Sequence, residues 1–179
     1  MRAGLLGNEP INDHRAVVHN ANVRHDVGRA DAGLNFDLSV EIRRPPAAVF
    51  ALLTDIQDHE PIPRDARVKM MKHPSTATHV GTRWDERVRI GPGWWMSIES
   101  IVTDIRPPNV LGMDFHSVWL YGHLVYTITP SREGARLQQR ESVHLRWPLR
   151  WFSTRVERRL GARLGRRLAE LRDLLEADT

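Results

Sequence analysis

The C-terminal stretch, residues 148–177, constrains the fold of this chain more than any other feature of its sequence. Its apolar side chains recur every three or four residues, the spacing that stacks them along one face of an α-helix: Leu149, Phe152, Val156, Leu160, Leu164, Leu168, Leu171 and Leu175. Pro148 suits the first turn, where its missing N–H costs nothing. At 1.5 Å per residue the helix would be roughly 40 Å long. It therefore needs a long apolar partner surface, which the preceding residues must supply.

Arginine dominates the other faces of this predicted helix. Residues 146–172 contain nine arginines, Arg163 and Arg167 among them, in a chain whose formal net charge is +4. A basic helix can dock on an anionic membrane or on nucleic acid. We favour a solvated outer face, because acidic residues such as Glu157 and Glu170 lie at helical spacing from the arginines.

Composition points to one domain. The chain has 179 residues, of which 41% are hydrophobic, and can bury a substantial core. Cysteine is absent, which excludes disulfides and thiolate metal sites. No apolar run reaches the length of a membrane span and the first ten residues lack a signal-peptide core, so we expect a cytoplasmic protein. Because phosphate-binding loops and hydrolase motifs are also missing, we predict no cofactor.

The chain before the long helix divides into an arm and a series of strands. Residues 1–34 show no sustained period, and we predict an irregular or mobile N-terminal arm, followed by one domain over 35–179. Residues 36–43 alternate apolar and polar side chains, as a half-buried strand does. Pro45 and Pro46 then open a helix to about Ile56, and a proline-rich connection over 58–63 follows, with at most one short helical turn.

From Ala66 the pattern becomes a run of six strands separated by short turns. We place them near 66–73, 80–90, 94–105, 109–117, 121–130 and 135–146. Short connections favour an antiparallel meander of hairpins. An antiparallel sheet curved around the long amphipathic helix buries every apolar stripe at once, so we predict an α+β domain.

This order resembles the helix-grip fold of the START/Bet v 1-like superfamily, and in particular its polyketide cyclase/dehydrase-like (SRPBCC) branch. The resemblance covers about residues 36–176. It rests on short segments with loose motifs. In 40–50 the first strand runs into a helix, and 102–108 contains an acidic-x-x-Pro turn; the other segments are 54–58, 80–84 and 134–137. It implies a seven-stranded curved sheet, a long C-terminal helix and a short helix pair after the first strand. It also implies a cavity between sheet and helix that holds a hydrophobic small molecule such as a lipid, sterol, polyketide or aromatic metabolite.

Strand alternation predicts which side chains face this cavity. Trp84 and Glu86 share one face, as do Met113 and Phe115, and Tyr126 and Glu141 belong to the inner faces of the last two strands. The strand over 94–105 is ambiguous, because Met96 and Ile98 compete with Trp95 and Ile101, and a bulge could let both sets pack. From these faces and the start of the long helix we predict a ligand-binding set: Trp84, Glu86, Trp95, Met113, Phe115, Tyr126, Glu141, Trp151 and Phe152.

Glu86 and Glu141 are the candidates for chemistry, with Tyr126 as a group that could orient a carbonyl. Two carboxylates on an inner face are costly unless they are paired or protonated, and such groups serve acid–base catalysis. The alternative is that both lie near strand ends, wetted or paired with arginines. For Tyr126 the alternative is core packing with its hydroxyl at a rim.

The histidines do not form a recognisable metal site. His116 and His123 flank the turn at Trp119 with His144 as a conceivable third ligand, but they lie on the face opposite the predicted cavity. We therefore predict no metal.

Three hypotheses for function follow. The first is a protein that binds or carries a hydrophobic or aromatic small molecule, lipid-like or polyketide-like, by enclosing it. The second is an enzyme of the cyclase/dehydratase type that uses a cavity carboxylate. The third is docking of the arginine-rich helix on an anionic membrane or on nucleic acid, of which nucleic acid is the less favoured.

The clustered tryptophans, such as Trp94, Trp95, Trp119 and Trp151, could line the pocket, pack in the core or touch a membrane transiently. The oligomeric state is left open.

Overall fold

The computed structural model describes residues 33–55 and 68–177. Its first half contains β1 (Gly33–Ile42), α1 (Pro46–Thr54), β2 (Val68–His73), β3 (Arg83–Gly91) and β4 (Trp94–Arg106). The second half contains β5 (Val110–His116), β6 (Leu120–Pro130), β7 (Ala135–Leu145), a 3-10 turn (Leu149–Phe152) and α2 (Ser153–Ala177). This order confirms the predicted α+β helix-grip fold.

All seven strands form one antiparallel sheet in the order β1-β7-β6-β5-β4-β3-β2. β2 to β7 make the predicted meander, and β1 closes the sheet by pairing with β7. β1 begins earlier than residue 36 because Gly33 and Leu34 continue the ladder opposite His144 and Val143. Residues 1–32, most of the predicted arm, lie outside the described part of the chain. So does 56–67, where a second short helix would fall.

α2 packs along the concave face of the sheet. Its buried residues are Leu164, Leu168, Leu171 and Leu175, four of the eight positions of the predicted stripe. Burying a leucine side chain contributes roughly 1.5–3 kcal/mol, so this half of the stripe is a major source of stability. The first part of the predicted helix differs: residues 149–152 form a 3-10 turn whose Phe152 is exposed, and the α-helix itself begins at Ser153.

The two ends of α2 lie at opposite ends of the sheet. The helix follows β7 after the 3-10 turn and ends at the far end of β1, where Glu176 contacts Arg43, the residue that follows the strand. There the backbone N–H of Arg43 donates to Glu176 Oε1 at 2.9 Å and its guanidinium donates to Oε2 at 2.8 Å. These hydrogen bonds lower the pKa of Glu176. They join the last turn of the helix to the sheet.

β4 contains the bulge that its ambiguous pattern allowed. The register shifts between Val102 and Asp104, so that Val102 is buried and Ile105, three residues further on, also packs against the core. Before the bulge, Met96, Ile98 and Ser100 face α2. Glu99 therefore points to the other side, where it pairs with Arg83 at 3.8 Å.

No helix in the described ranges is both long enough and apolar enough to cross a membrane.

Candidate functional site

A cavity of about 120 Å³ lies between the concave face of the sheet and the first half of α2. Six of the seven strands and α2 contribute to the cavity wall. Its lining side chains are Met70, Trp84, Glu86, Met96, Ile98, Ser100, Met113, Phe115, Leu120, Leu124, Glu141, Val143, Leu160, Arg163, Leu164 and Arg167. Tyr126 and Gln139 are the next cross-strand pair along β6 and β7 after Leu124 and Glu141. The register explains the grouping. Trp84, Ser100 and Phe115 are cross-strand neighbours in one row, and Met113, Leu124 and Glu141 are neighbours in the next.

Most of the wall is apolar. Three methionines, Met70, Met96 and Met113, face the space together with Phe115 and several leucines. Methionine has an unbranched, polarisable side chain that adapts to irregular shapes. Such a wall suits an apolar group without demanding one particular outline.

Two acids and two arginines form a polar patch in this apolar wall. Arg163 and Arg167 lie one helical turn apart on α2. Arg163 contacts Glu86 of β3 with an N–O distance of 3.4 Å, and both side chains are largely shielded from solvent. Glu141 of β7 accepts a hydrogen bond of 2.8 Å from Gln139, which is fully buried. We call Glu86, Glu141, Arg163 and Arg167 the polar patch.

Glu141 is the member of the patch whose charge is least favoured. Burial raises its pKa from 4.5 to about 7, although the hydrogen bond from Gln139 and the charge of Arg167 act in the opposite direction. The negative charge of the nearby Glu86 raises the pKa of Glu141 further. Near neutral pH this carboxyl group is therefore present in both forms and can donate or accept a proton.

Arg167 also faces the cavity, and Glu86 and Glu141 are the acids near it. Its Nε is buried and has no hydrogen-bond partner among residues 33–55 and 68–177, and the same holds for the indole Nε1 of Trp84. A buried N–H without a partner costs free energy, and an acceptor atom brought into the cavity would recover it. These two donors thus give the apolar cavity a place for an oxygen atom of a ligand.

Tyr126 lies on β6 two residues beyond Leu124, which lines the cavity. Only 2% of its surface is exposed, and its buried hydroxyl has no partner in the described part of the chain. Burial raises the pKa of Tyr126, while the guanidinium of Arg167 offsets part of the rise. The phenol is therefore neutral at physiological pH and available as a donor or acceptor.

The structure brings five of the nine predicted binding residues to the cavity wall. They are Trp84, Glu86, Met113, Phe115 and Glu141. Trp95, Trp151 and Phe152 lie elsewhere, with 42%, 78% and 53% of their surfaces exposed. Trp95 points outward because the neighbouring Met96 faces α2, and the other two belong to the 3-10 turn ahead of the helix. Their contact with a ligand stays a prediction that this geometry does not favour.

Sequence reasoning missed Arg163 and Arg167, which we had assigned to the solvated faces of the helix. Both line the cavity. The signal was present in their spacing, because they follow Leu160 and Leu164 by three residues and therefore lie beside them on the same face. Charge alone is a poor guide here, since a guanidinium next to Glu86 need not be solvated.

The histidines near the Trp119 turn have contacts of their own. His123 bonds to the carboxylate of Asp114, and His144 stacks on Tyr121 with ring centres 4.9 Å apart. Within residues 33–55 and 68–177, no three His, Asp or Glu side chains come together as a metal site would require.

Solved structures of other proteins share this fold. Similar solved structures include a protein of unknown function from Staphylococcus aureus (TM-score 0.67, 8% identity, 84% of this chain and 98% of the other). A protein from Mycobacterium smegmatis aligns with TM-score 0.65 and 14% identity over 90% of this chain and 99% of its own. A Polyketide_cyc-like protein from Corynebacterium glutamicum aligns with TM-score 0.51 and 21% identity over 80% and 92%. At these identities the likeness concerns the fold alone.

Among curated proteins none matches this sequence. The model of the family described as polyketide cyclase / dehydrase and lipid transport, however, matches residues 34–176, nearly the whole described domain. Together with the sheet, the long helix and the cavity between them, this match shows that the chain belongs to the polyketide cyclase/dehydrase and lipid transport family of the SRPBCC superfamily.

Proposed function

We propose that this protein binds or carries a hydrophobic or aromatic small molecule, lipid-like or polyketide-like, in the cavity between the sheet and α2. Membership of the family supports a role in hydrophobic ligand binding in general. The observation that carries the proposal is the combination of a largely apolar wall with two buried, unpartnered N–H groups in the described residues, on Trp84 and Arg167.

The volume of the cavity indicates what fits. An apolar protein cavity of about 150 Å³ is known to hold benzene, and this cavity measures about 120 Å³. It suits a single ring or a short branched chain. A larger lipid or polyketide would bind with one segment here and would extend beyond it.

Arg167 and Trp84 specify the other end of the ligand. Both offer N–H donors, and Arg163 is already engaged with Glu86. The oxygen of a carbonyl, enol or acid group would accept hydrogen bonds from these donors, whereas a pure hydrocarbon would leave them unpaired. We therefore expect an apolar molecule that carries an oxygen acceptor.

Native mass spectrometry of the freshly purified protein, with an organic extract analysed alongside, tests this proposal. We expect a discrete added mass, and an affinity for the extracted compound that is about tenfold lower in Arg167→Gln, as the loss of one charged hydrogen bond implies. Arg166→Gln is the matched control, because Arg166 is the exposed neighbour of Arg167 on the helix.

Where the protein emerges without a ligand, benzoate and benzyl alcohol serve as ring-sized probes. Both should shift the NMR signals of cavity residues such as Ser100 and Leu160. A protein that carries no added mass and binds neither probe would contradict the proposal.

A second candidate function is catalysis of the cyclase or dehydratase type, and the position of Glu141 favours it. A group with a pKa near 7 works well as a general acid or base at neutral pH. In this hypothesis Glu141 or Glu86 transfers the proton and Tyr126 orients a carbonyl group of the substrate.

The test of catalysis separates turnover from binding. With the extracted compound as substrate, we expect Glu141→Gln or Glu86→Gln to abolish product formation while native mass spectrometry still detects the bound compound. Product formation at the wild-type rate in both variants would remove the catalytic hypothesis and leave binding as the function.

A further inference from the structure

Exposed apolar side chains are concentrated at one end of the sheet. Ten large apolar residues are exposed in the described ranges, and all but Met71 and Val80 belong to three short segments. We call residues 89–95, 117–119 and 146–155 the rim. Its exposed apolar members are Ile90, Trp94, Trp95, Val118, Trp119, Trp147, Trp151 and Phe152.

The antiparallel topology brings these three segments together. The β3–β4 hairpin, the β5–β6 turn and the connection from β7 to α2 all lie at the same end of the sheet, because successive strands reverse direction. Hydrogen bonds join them: Arg146 N–H donates to the carbonyl of Trp119 at 2.8 Å. Ser117 Oγ lies 3.8 Å from Met96 Sδ, next to Trp95. The three segments therefore lie next to one another at this end of the sheet.

The rim is also uniformly basic. It contains four arginines, Arg89, Arg146, Arg150 and Arg155, and neither aspartate nor glutamate. All four arginine side chains are exposed. Exposed tryptophans beside cationic side chains are the combination that settles at the interface of an anionic bilayer, where the rings lie at headgroup depth and the charges meet phosphate.

We propose that the rim docks this protein on the surface of an anionic lipid membrane. This surface is distinct from the basic face of the helix, because it is built from three segments of the chain and its main apolar residues are tryptophans. It goes beyond the proposed function and does not require a ligand. It does place the cavity beside the bilayer, since the cavity residues Met96 and Leu120 directly follow Trp95 and Trp119.

Charge argues against a second copy of the chain as the occupant. A two-fold contact through the rim would set four arginines against four others without an acid between them, which is unfavourable. Single-stranded nucleic acid also uses aromatic and basic side chains, but typically along a groove. The rim instead presents its aromatic rings at the ends of strands and on the 3-10 turn, at one end of the sheet.

Tryptophan fluorescence reports on this surface directly. The chain has six tryptophans, and all except the buried Trp84 belong to the rim. We expect a blue shift when the full chain is mixed with vesicles of phosphatidylcholine and phosphatidylglycerol, and co-sedimentation with them. Vesicles of phosphatidylcholine alone should bind far less, and added salt should weaken the binding because the arginines contribute through their charge.

Paired variants identify the docking surface. Trp151→Ser combined with Phe152→Ser should weaken vesicle binding about tenfold or more, as removal of two apolar side chains from the bilayer implies. Met71→Ser combined with Val80→Ser changes exposed apolar residues elsewhere and should leave binding intact. Arg155→Gln should weaken it more than Arg132→Gln, which alters an exposed arginine in the β6–β7 turn at the opposite end.

Several results would overturn the proposal. Wild-type protein that does not bind anionic vesicles, or binding that the rim variants leave unchanged, would do so. A protein that does not bind vesicles but forms a dimer in analytical ultracentrifugation, which the rim variants convert to a monomer, would also overturn it. The rim would then be a self-association surface. Preference for a single-stranded oligonucleotide over vesicles would assign the rim to nucleic acid. Ser100→Leu, which fills the cavity, should dock normally, so that failure of docking and failure of ligand binding are distinguishable.

Discussion

Among single residues, Glu141 best illustrates how position controls chemistry. Its carboxyl group faces a cavity with apolar walls, where burial penalises the charged form and raises its pKa to about 7. The charged groups that face it are Glu86 from β3 and Arg163 and Arg167 from α2. The two arginines lower the pKa of Glu141, but by less than burial raises it. The charged form of Glu141 therefore destabilises the folded state.

The first prediction concerns the pH dependence of stability. Because the folded-state pKa of about 7 lies above the ordinary value of 4.5, the folded chain binds more protons between these two values than the unfolded chain. The contribution of Glu141 is fully present below pH 4.5 and is lost as the pH rises through 7. Over this rise in pH, we expect the ionisation of Glu141 to lower the free energy of unfolding by about 3 kcal/mol.

Urea unfolding at several pH values between 5 and 8 measures this effect. Glu141→Gln has no charge to lose, so its stability should decline less over the same range. Glu99→Gln, on the outer side of β4, is the control and should follow the wild type. Parallel curves for wild type and Glu141→Gln would contradict the assigned pKa.

At the scale of elements, two glycines show how differently one residue type can be used. Gly122 of β6 is the cross-strand partner of Phe115, and a Cβ atom there would overlap the carbonyl oxygen of Ser142 and come within 2.5 Å of the Phe115 ring. A Cβ atom on Gly165 of α2 would meet nothing within 4 Å. Gly122 is required by packing, whereas Gly165 only loosens the helix.

Alanine should therefore have opposite effects at these two positions. Gly165→Ala should stabilise the protein by about 0.5–1 kcal/mol, the usual difference in helix propensity. Gly122→Ala should destabilise it by about 3 kcal/mol, because a backbone carbonyl cannot move aside as a side chain can. Thermal unfolding of the two variants checks both signs. An unchanged or raised melting temperature for Gly122→Ala would show that β6 and Phe115 are not packed as described.

At the scale of the whole molecule, the cavity means that the core is incompletely filled. Space between sheet and helix forgoes packing contacts that a closed core would make. Ser100 stands in this space, between Trp84 and Phe115 in the sheet register. A larger apolar side chain at this position would complete the core at the expense of the binding site.

We accordingly predict that Ser100→Leu raises stability by about 1 kcal/mol and lowers affinity for the ligand or for benzoate at least tenfold. Ser97→Leu is the matched control, because Ser97 is exposed on the other side of the same strand. It should change neither quantity by much. Loss of stability together with unchanged affinity in Ser100→Leu would mean that the ligand does not use this cavity.

Much of the fold follows from local patterns that can be read along the chain. Alternation in the strands and the three-to-four spacing of leucines in α2 are properties of neighbouring residues, and they predicted the meander, the long helix and their packing. The same alternation placed Trp84, Glu86 and Glu141 on the inner face. Local repetition determines which face of an element is apolar, and burial of apolar surface then selects the arrangement.

What the chain could not reveal by itself depends on partners that are distant in sequence. Both faces of β4 carry apolar residues, so only its pairing with β3 and β5, together with the bulge after Val102, turned Met96 inward and Trp95 outward. The sequence around Arg163 is that of a solvated helix residue. Its contact at 3.4 Å is with Glu86, which lies 77 positions earlier in the chain. The sequence by itself determined the elements and their apolar faces, because these depend on short-range periodicity. Only the tertiary structure decided the polar patch and the rim, because each is made of residues that folding brings together.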